Sequence, residues 1–131
     1  MLPIGYTIHQ KYRITRQIAA GGGGNVYEVV DVATSNFFAI KECFLAEVTK
    51  HDEMKRVVVG VPSAKTLFEQ HVANFLEEGK MLKALDNRYV VKVYDVFLEN
   101  GTAYYVMDLV IGTTLSNIVA NTRIGLQINN S

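Results

Sequence analysis

The segment from residue 63 to residue 85 has the clearest helical pattern in this chain and limits what the remainder can form. Its apolar residues recur at helical spacing and form one stripe: Phe68, Val72, Phe75, Leu82 and Leu85. Pro62 precedes Ser63, so we expect Ser63 to be the N-cap of a helix that ends at Asp86-Asn87. A single amphipathic helix needs another apolar surface to cover its stripe.

The other patterned segments are typical of β-strands. Three of them precede the helix and two follow it, at residues 12–18, 25–31, 37–42, 90–97 and 102–107. Glu99-Asn100-Gly101 separates the last two, and Asn-Gly favours a tight hairpin because both residues tolerate positive φ. The pattern predicts an α+β fold: a five-stranded antiparallel sheet with one long helix across one face.

Composition excludes several functional classes. The 131 residues are enough for one domain, and thirteen basic residues balance thirteen acidic ones, which argues against a dedicated nucleic-acid or membrane-surface binder. Cys43 is the single cysteine, and we expect an ordinary buried or half-buried thiol. No apolar run is long enough to cross a membrane, so we expect a cytoplasmic chain, although a longer parent protein could carry an anchor.

The segment between the third strand and the helix is rich in charge. We expect a solvated loop from residue 47, followed by a short edge strand in the valine run 57–61. His51 lies in the charged part, and we expect it to be exposed to solvent.

Four consecutive glycines, residues 21–24, lie between the first two strands. Without a Cβ, their backbone N–H groups could approach a phosphate closely, although many hairpins contain glycine for conformational reasons alone. Further along, strand alternation places Ala39 and Lys41 on one face. Ala39 leaves room for a flat ring and Lys41 could hold phosphate oxygens; the alternative is a surface lysine at a strand end.

Glu78 lies on the apolar stripe of the helix, between Phe75 and Leu82, whereas Glu77 should face solvent. A carboxylate on an apolar face is costly unless it is paired, and Lys41 is a natural partner. Alternatively, Glu78 reaches water at the helix edge.

These features, in this order, resemble the N-terminal lobe of a protein kinase between about residues 12 and 119. Residues 18–27 resemble the glycine-rich loop G-x-G-x-x-G-x-V, although Ala19 replaces the first glycine and Gly23 the usual aromatic tip. Phe38-Ala39-Ile40-Lys41 looks like the V-A-I-K motif, and Glu78 like the glutamate of the αC helix. The long insert between Lys41 and Glu78 is similar to bacterial Ser/Thr kinases of the eukaryotic type.

The resemblance implies an ATP site and assigns residues to it. Met107 takes the gatekeeper position, the backbones of Asp108 and Val110 would bond the adenine edge, and Lys41 and Glu78 take the catalytic roles. The implied nucleotide-binding residues are Ala19, Gly21, Gly22, Gly23, Gly24, Val26, Ala39, Lys41, Met107, Asp108 and Val110. Leu82 and Val93 would join the apolar column between helix and sheet.

The same resemblance divides the chain into an extension at 1–11, a kinase N-lobe at 12–111, and a hinge exit with a partial αD-like segment at 112–131. The H-R-D and D-F-G motifs are absent, so we expect a lobe without its C-lobe, with no metal site of its own and no activity alone. Mg²⁺ would enter only in a complete kinase. Two alternatives remain: a stand-alone, pseudokinase-like regulatory or binding module, and a small sheet-and-helix protein with no nucleotide role.

The lower edge of such a lobe normally packs on the C-lobe. We expect several apolar residues to remain near that edge: Leu82, Leu85, Val110, Ile111, Leu115, Ile118 and Val119. A contiguous apolar patch favours association, so we expect either a two-fold homodimer or a partner chain that supplies the missing surface.

Overall fold

The computed structural model of the chain describes residues 1–21, 23–85 and 91–110. The strands are β1 Thr7–Ile8, β2 Tyr12–Gly21, β3 Gly24–Asp31, β4 Phe37–Cys43, β5 Thr49–His51, β6 Val57–Val59, β7 Val93–Glu99 and β8 Thr102–Met107. A 3₁₀ turn at Pro62–Ala64 leads into the helix α1, Lys65–Ala84.

The main sheet has the strand order β1-β2-β3-β4-β8-β7, and every pair in it is antiparallel. The α+β class, with one helix packed on an antiparallel sheet, is confirmed. The sheet differs from the expected five strands because β1 adds a sixth, two-residue strand from the segment described above as an extension. Leu2 and Ile8 of that segment are fully buried, and the Leu2 N–H donates to the Tyr27 hydroxyl at 2.9 Å.

Strand alternation divides the core into two layers. Ala39 and Val26 face α1, in a cluster with Phe75 and Leu82. Ile40, one position along β4, lies on the opposite face with Tyr27 and Tyr104. Leu82 and Val93 are buried together on the helix side, as expected.

The helix begins one residue later than an N-cap at Ser63 predicts. Ser63 was expected to cap it, but Ser63 lies inside the 3₁₀ turn, and the N-cap is Ala64, which makes no side-chain capping hydrogen bond. Pro62 starts the turn because its fixed φ suits a first helical position. The C-terminal residue of α1, Ala84, falls one residue before the predicted end at Leu85; Asp86 and Asn87 lie outside the described residues.

The insert between β4 and α1 contains more regular structure than the solvated loop that its charge predicts. Thr49–His51 and Val57–Val59 form an antiparallel hairpin that is a separate two-stranded sheet. The Val57 N–H donates to the Asn100 carbonyl at 2.7 Å, which attaches the hairpin to the β7–β8 turn. The prediction that His51 is exposed is wrong: its side chain is 12% exposed, and its Nε2 lies 3.0 Å from Glu42 Oε1.

Two local predictions are confirmed. Asn100 and Gly101 have φ values of 54° and 73°, so both occupy the left-handed region that this turn requires. Cys43 is fully buried, and burial raises the pKa of its thiol to about 11.

The structure describes three of the seven residues expected at an apolar lower edge. Leu82 is only 1% exposed because it packs between α1 and the sheet, while Leu85 and Val110 are half-buried against the same core. The other four residues of that expected patch lie outside the described residues: Ile111, Leu115, Ile118 and Val119. Among the described residues, no helix combines the length and apolarity needed to cross a bilayer.

Candidate functional site

Three apolar residues converge on the helix side of the sheet. Strand register pairs Val26 with Lys41 across β3 and β4, and Ala39 with Met107 across β4 and β8. Val26, Ala39 and Met107 are each at most 2% exposed and belong to one cluster. Ala39 carries the smallest side chain of the three.

Lys41 lies two residues along β4 and on the same face as Ala39. Its side chain is buried, and Nζ lies 5.7 Å from the ring centroids of both Phe75 and Tyr105. An ammonium at this distance from two aromatic rings is stabilised electrostatically, which offsets part of its desolvation. Lys41 lines a cavity of about 120 Å³, whose other lining residues are Gly23, His71, Asn74, Phe75 and Glu78.

Glu78 reaches the same cavity from the helix. The Tyr105 hydroxyl donates to Glu78 Oε1 at 3.3 Å, so the carboxylate is oriented by the sheet. Glu77, one position earlier, has a side chain that is 76% exposed, as the helical pattern predicts. The fold therefore brings Lys41 and Glu78 to one cavity, although they are far apart in sequence.

The glycine segment forms the end of the β2–β3 hairpin. Gly21 pairs with Gly24, Ala19 pairs with Val26, and Gly23 lines the cavity. A Cβ on Gly24 would overlap the Glu42 carbonyl oxygen and lie 3.5 Å from Lys41 Cε. Only glycine allows this close approach of β3 to β4, which places the loop directly over Lys41. Gly22 lies outside the described residues.

The segment after β8 borders the site on its other side. The Asp108 N–H donates to the Lys92 carbonyl at 3.1 Å, and the Tyr94 hydroxyl donates to Asp108 Oδ1 at 2.5 Å. That hydrogen bond raises the pKa of Tyr94 above its ordinary value. Asp108 and Val110 are both half-buried, and the two hydrogen bonds fix where the chain leaves the sheet.

Sequence reasoning missed a buried carboxylate directly behind Lys41. Glu42 is fully buried on the opposite face of β4, and its carboxylate accepts hydrogen bonds from four side chains: Asn25, Tyr27, His51 and Tyr104. Burial, the largest effect, raises the pKa of Glu42, but the hydrogen bonds from His51, Asn25 and Tyr104 outweigh it and hold the pKa below its ordinary value. Alternation along β4, which puts Glu42 on the same face as Ile40, was the signal that could have found it.

His71 and Asn74 were also missed. His71 precedes Glu78 by seven positions, two helical turns, so both residues face the cavity. The Nε2 atom of His71 is buried and has no hydrogen-bond partner among the described residues. The heptad spacing to Glu78 was visible in the sequence, but nothing local marked the histidine as part of a site.

Comparison with known proteins supports the family resemblance. The family described as "Protein kinase domain" matches residues 12–129. The chain is 28% identical over 116 residues to the serine/threonine-protein kinase PrkC of Bacillus subtilis, and 32% identical over 108 residues to a probable serine/threonine-protein kinase, pknA2, of Bifidobacterium longum. These alignments cover 88% and 82% of this chain but only 15% and 12% of the relatives.

The fold agrees with that match. The solved structure of the PpkA-294 apo form superposes with a TM-score of 0.83 at 28% identity, and covers 92% of this chain and 42% of that one. The kinase domain of Mycobacterium tuberculosis PknI, at 20% identity and a TM-score of 0.58, shares the fold. With the match across residues 12–129, these likenesses show that the chain belongs to the protein kinase family and forms the N-terminal lobe of that fold.

Proposed function

We propose that this chain is the ATP-binding lobe of a Ser/Thr protein kinase. One observation carries the proposal: Ala39 and Lys41 share a sheet face beneath a glycine hairpin, and Glu78 reaches the cavity at Lys41 from the helix. An apolar cluster beside a buried ammonium suits a nucleotide, whose base is apolar on its faces and whose phosphates are anionic.

The apolar cluster is where the proposal places the adenine ring. Val26 and Ala39 would contact one face of the ring, and Met107 would close the back of the site. The Asp108 N–H is already donated to the Lys92 carbonyl, so the proposal assigns the Asp108 carbonyl and the Val110 N–H to the adenine edge.

The glycine hairpin and the cavity are where the proposal places the phosphates. Backbone amides of Gly21, Gly23 and Gly24 would line the phosphate chain, together with Gly22 and the backbone at Ala19. Lys41 would neutralise phosphate charge, and Glu78 would hold the ammonium in position.

Phosphate transfer needs groups that this part of the fold does not supply. Within the described residues, no group of three or more His, Cys, Asp or Glu side chains could hold a metal ion, so we assign no step to Mg²⁺ here. In its complete form the kinase would transfer the γ-phosphate to a protein Ser or Thr. The lobe alone would bind nucleotide weakly, with a dissociation constant on the order of 1 mM, which corresponds to a binding free energy of about −4 kcal/mol. It would not transfer phosphate by itself.

The test compares ATP binding by the wild-type chain with that of Lys41→Met, using ligand-observed NMR at millimolar ATP. Lys11→Met is the matched control, because Lys11 also lies over an aromatic ring, that of Tyr12, but is exposed. We expect Lys41→Met to abolish measurable binding and Lys11→Met to retain it. Equal binding by both variants would contradict the assignment of Lys41.

Self-association is a further part of the proposal. Leu85 and Val110 remain half-buried at the lower edge, which a second copy or a C-lobe would cover. Sedimentation equilibrium at high micromolar concentration should show a dimer; a monomer would contradict it.

A further inference from the structure

His71 is an unexplained polar group in the cavity at Lys41. Its Nε2 atom is buried and has no hydrogen-bond partner among the described residues, although the residue lies on the surface helix α1. A buried nitrogen without a partner is destabilising, and such groups are rare in native structures. The arrangement is explained if a ligand supplies the partner.

The chemistry of the cavity indicates the kind of ligand. Lys41 contributes an ammonium, Asn74 a side-chain amide and Gly23 a backbone segment free of any side chain, while Glu78 is the one acidic residue among those lining it. An imidazole N–H and an amide N–H both donate to oxygen, and the ammonium repels a cation. These groups fit an anion with several oxygens, and the cavity volume of about 120 Å³ accommodates one phosphate group.

We infer that His71 binds a phosphate oxygen of the nucleotide through Nε2, and so adds a second phosphate-binding side chain beside Lys41. The inference rests on the proposed nucleotide site and extends it to α1. It assigns the cavity between the glycine hairpin and the helix to the phosphate chain, on the side of Lys41 away from the Ala39–Met107 pair.

Imidazole NMR of the 131-residue chain tests this directly, because the chain has three histidines. His9 is hydrogen-bonded to Glu99 and His51 to Glu42, so both serve as internal references outside the cavity. Titration with ATP should shift the ring nitrogens of His71 alone. Titration with adenosine, which has no phosphate, should leave all three rings unchanged while still shifting backbone amides of the apolar cluster.

A variant pair adds an energetic measurement. His71→Leu should weaken ATP binding about tenfold and leave adenosine binding unchanged, since a hydrogen bond to a charged oxygen is lost. His71→Gln, which retains an N–H donor, should recover part of the loss, and His9→Gln should bind both ligands as the wild type does. A dispersed amide spectrum for each variant establishes that it is folded.

The outcomes separate this inference from the proposal beneath it. The role of His71 is overturned if His71→Leu binds ATP as the wild type does, or if ATP shifts backbone amides but not the His71 ring. Either result leaves the proposed nucleotide site intact. Absence of binding of both ATP and adenosine to the wild-type chain overturns the nucleotide site itself, and the role of His71 with it.

Discussion

Substitution of Glu42 should destabilise the lobe more than any surface carboxylate. Asn25 Nδ2 and the Tyr27 hydroxyl each donate to Glu42 Oε1 at 2.9 Å, and the Tyr104 hydroxyl donates to Oε2 at 2.7 Å. His51 Nε2 lies 3.0 Å from Oε1 and 3.1 Å from Oε2. This one carboxylate therefore joins β3, β4, β8 and the inserted hairpin.

The magnitude follows from the hydrogen bonds that each variant loses. Glu42→Gln keeps an oxygen that accepts from Asn25 and Tyr27, but it puts an amide NH₂ where Oε2 accepted from Tyr104. We therefore expect the free energy of unfolding to fall by about 2–3 kcal/mol. Glu42→Leu leaves the donors of Asn25, Tyr27 and Tyr104 buried and unpaired, and we expect it to lower the free energy of unfolding by about 3–5 kcal/mol or more. Since small domains have about 5–15 kcal/mol of stability, the Gln variant should still fold.

Urea unfolding followed by circular dichroism measures the difference. Glu77→Gln is the control, because the Glu77 side chain is 76% exposed and its ion pair with Lys80 is a surface pair; we expect a change below about 0.5 kcal/mol. A Glu42→Gln variant within about 0.5 kcal/mol of the wild type would refute the argument that the buried carboxylate stabilises the sheet.

The pH dependence gives a second readout of the same group. The folded-state pKa of Glu42 lies below the ordinary value of 4.5, so its contribution to stability is present above about pH 4.5 and is lost as the pH falls through the folded-state pKa. The wild type should lose stability over that window, and Glu42→Gln should lose less. Parallel profiles would contradict the assignment.

Three further predictions concern packing around the site and in the inserted hairpin. Gly24→Ala should destabilise the lobe by about 1–3 kcal/mol in urea unfolding, because the added Cβ meets the carbonyl oxygen of Glu42. Gly21→Ala is the control and should change stability little, since the nearest atom to its added Cβ is 3.8 Å away. Equal effects of the two substitutions would contradict the close approach of β3 to β4. Gly79→Ala places a Cβ 3.0 Å from Val96 Cγ1 and should displace α1, which NMR would detect as amide shifts along the helix. Adding Val96→Ala should reverse those shifts, and shifts that persist would count against this contact. His51→Ala should speed hydrogen exchange of the β5–β6 amides without changing exchange in β8, and uniform exchange rates would show that the histidine does not hold the hairpin.

Local pattern was sufficient for much of the fold and for the sheet face on which Ala39 and Lys41 lie. Helical spacing located α1 within two residues at each end, and strand alternation placed Ala39 and Lys41 on the face toward Phe75. Asn100-Gly101 predicted its hairpin because the required φ values belong to the residues themselves.

The misses share a physical cause, since they depend on contacts between distant segments. His51 lies in a charged stretch, and only the buried carboxylate of Glu42 makes it part of the core. Leu2 and Ile8 are buried because the N-terminal segment folds back on the sheet, and no periodicity in ten residues indicates that. His71, in the first half of α1, lines the same cavity as Lys41. Its place there depends on the position of the helix against the sheet, which Gly79 permits.

Backbone amide NMR of the isotope-labelled chain during titration with ATP examines the proposed nucleotide site on the helix-facing side of this sheet. We expect saturable shifts concentrated at Val26, Ala39, Lys41 and Met107 and along the glycine hairpin, with the Tyr27–Tyr104 face unchanged. Shifts that are absent at millimolar ATP, or that cluster on the Tyr27–Tyr104 face, would contradict it.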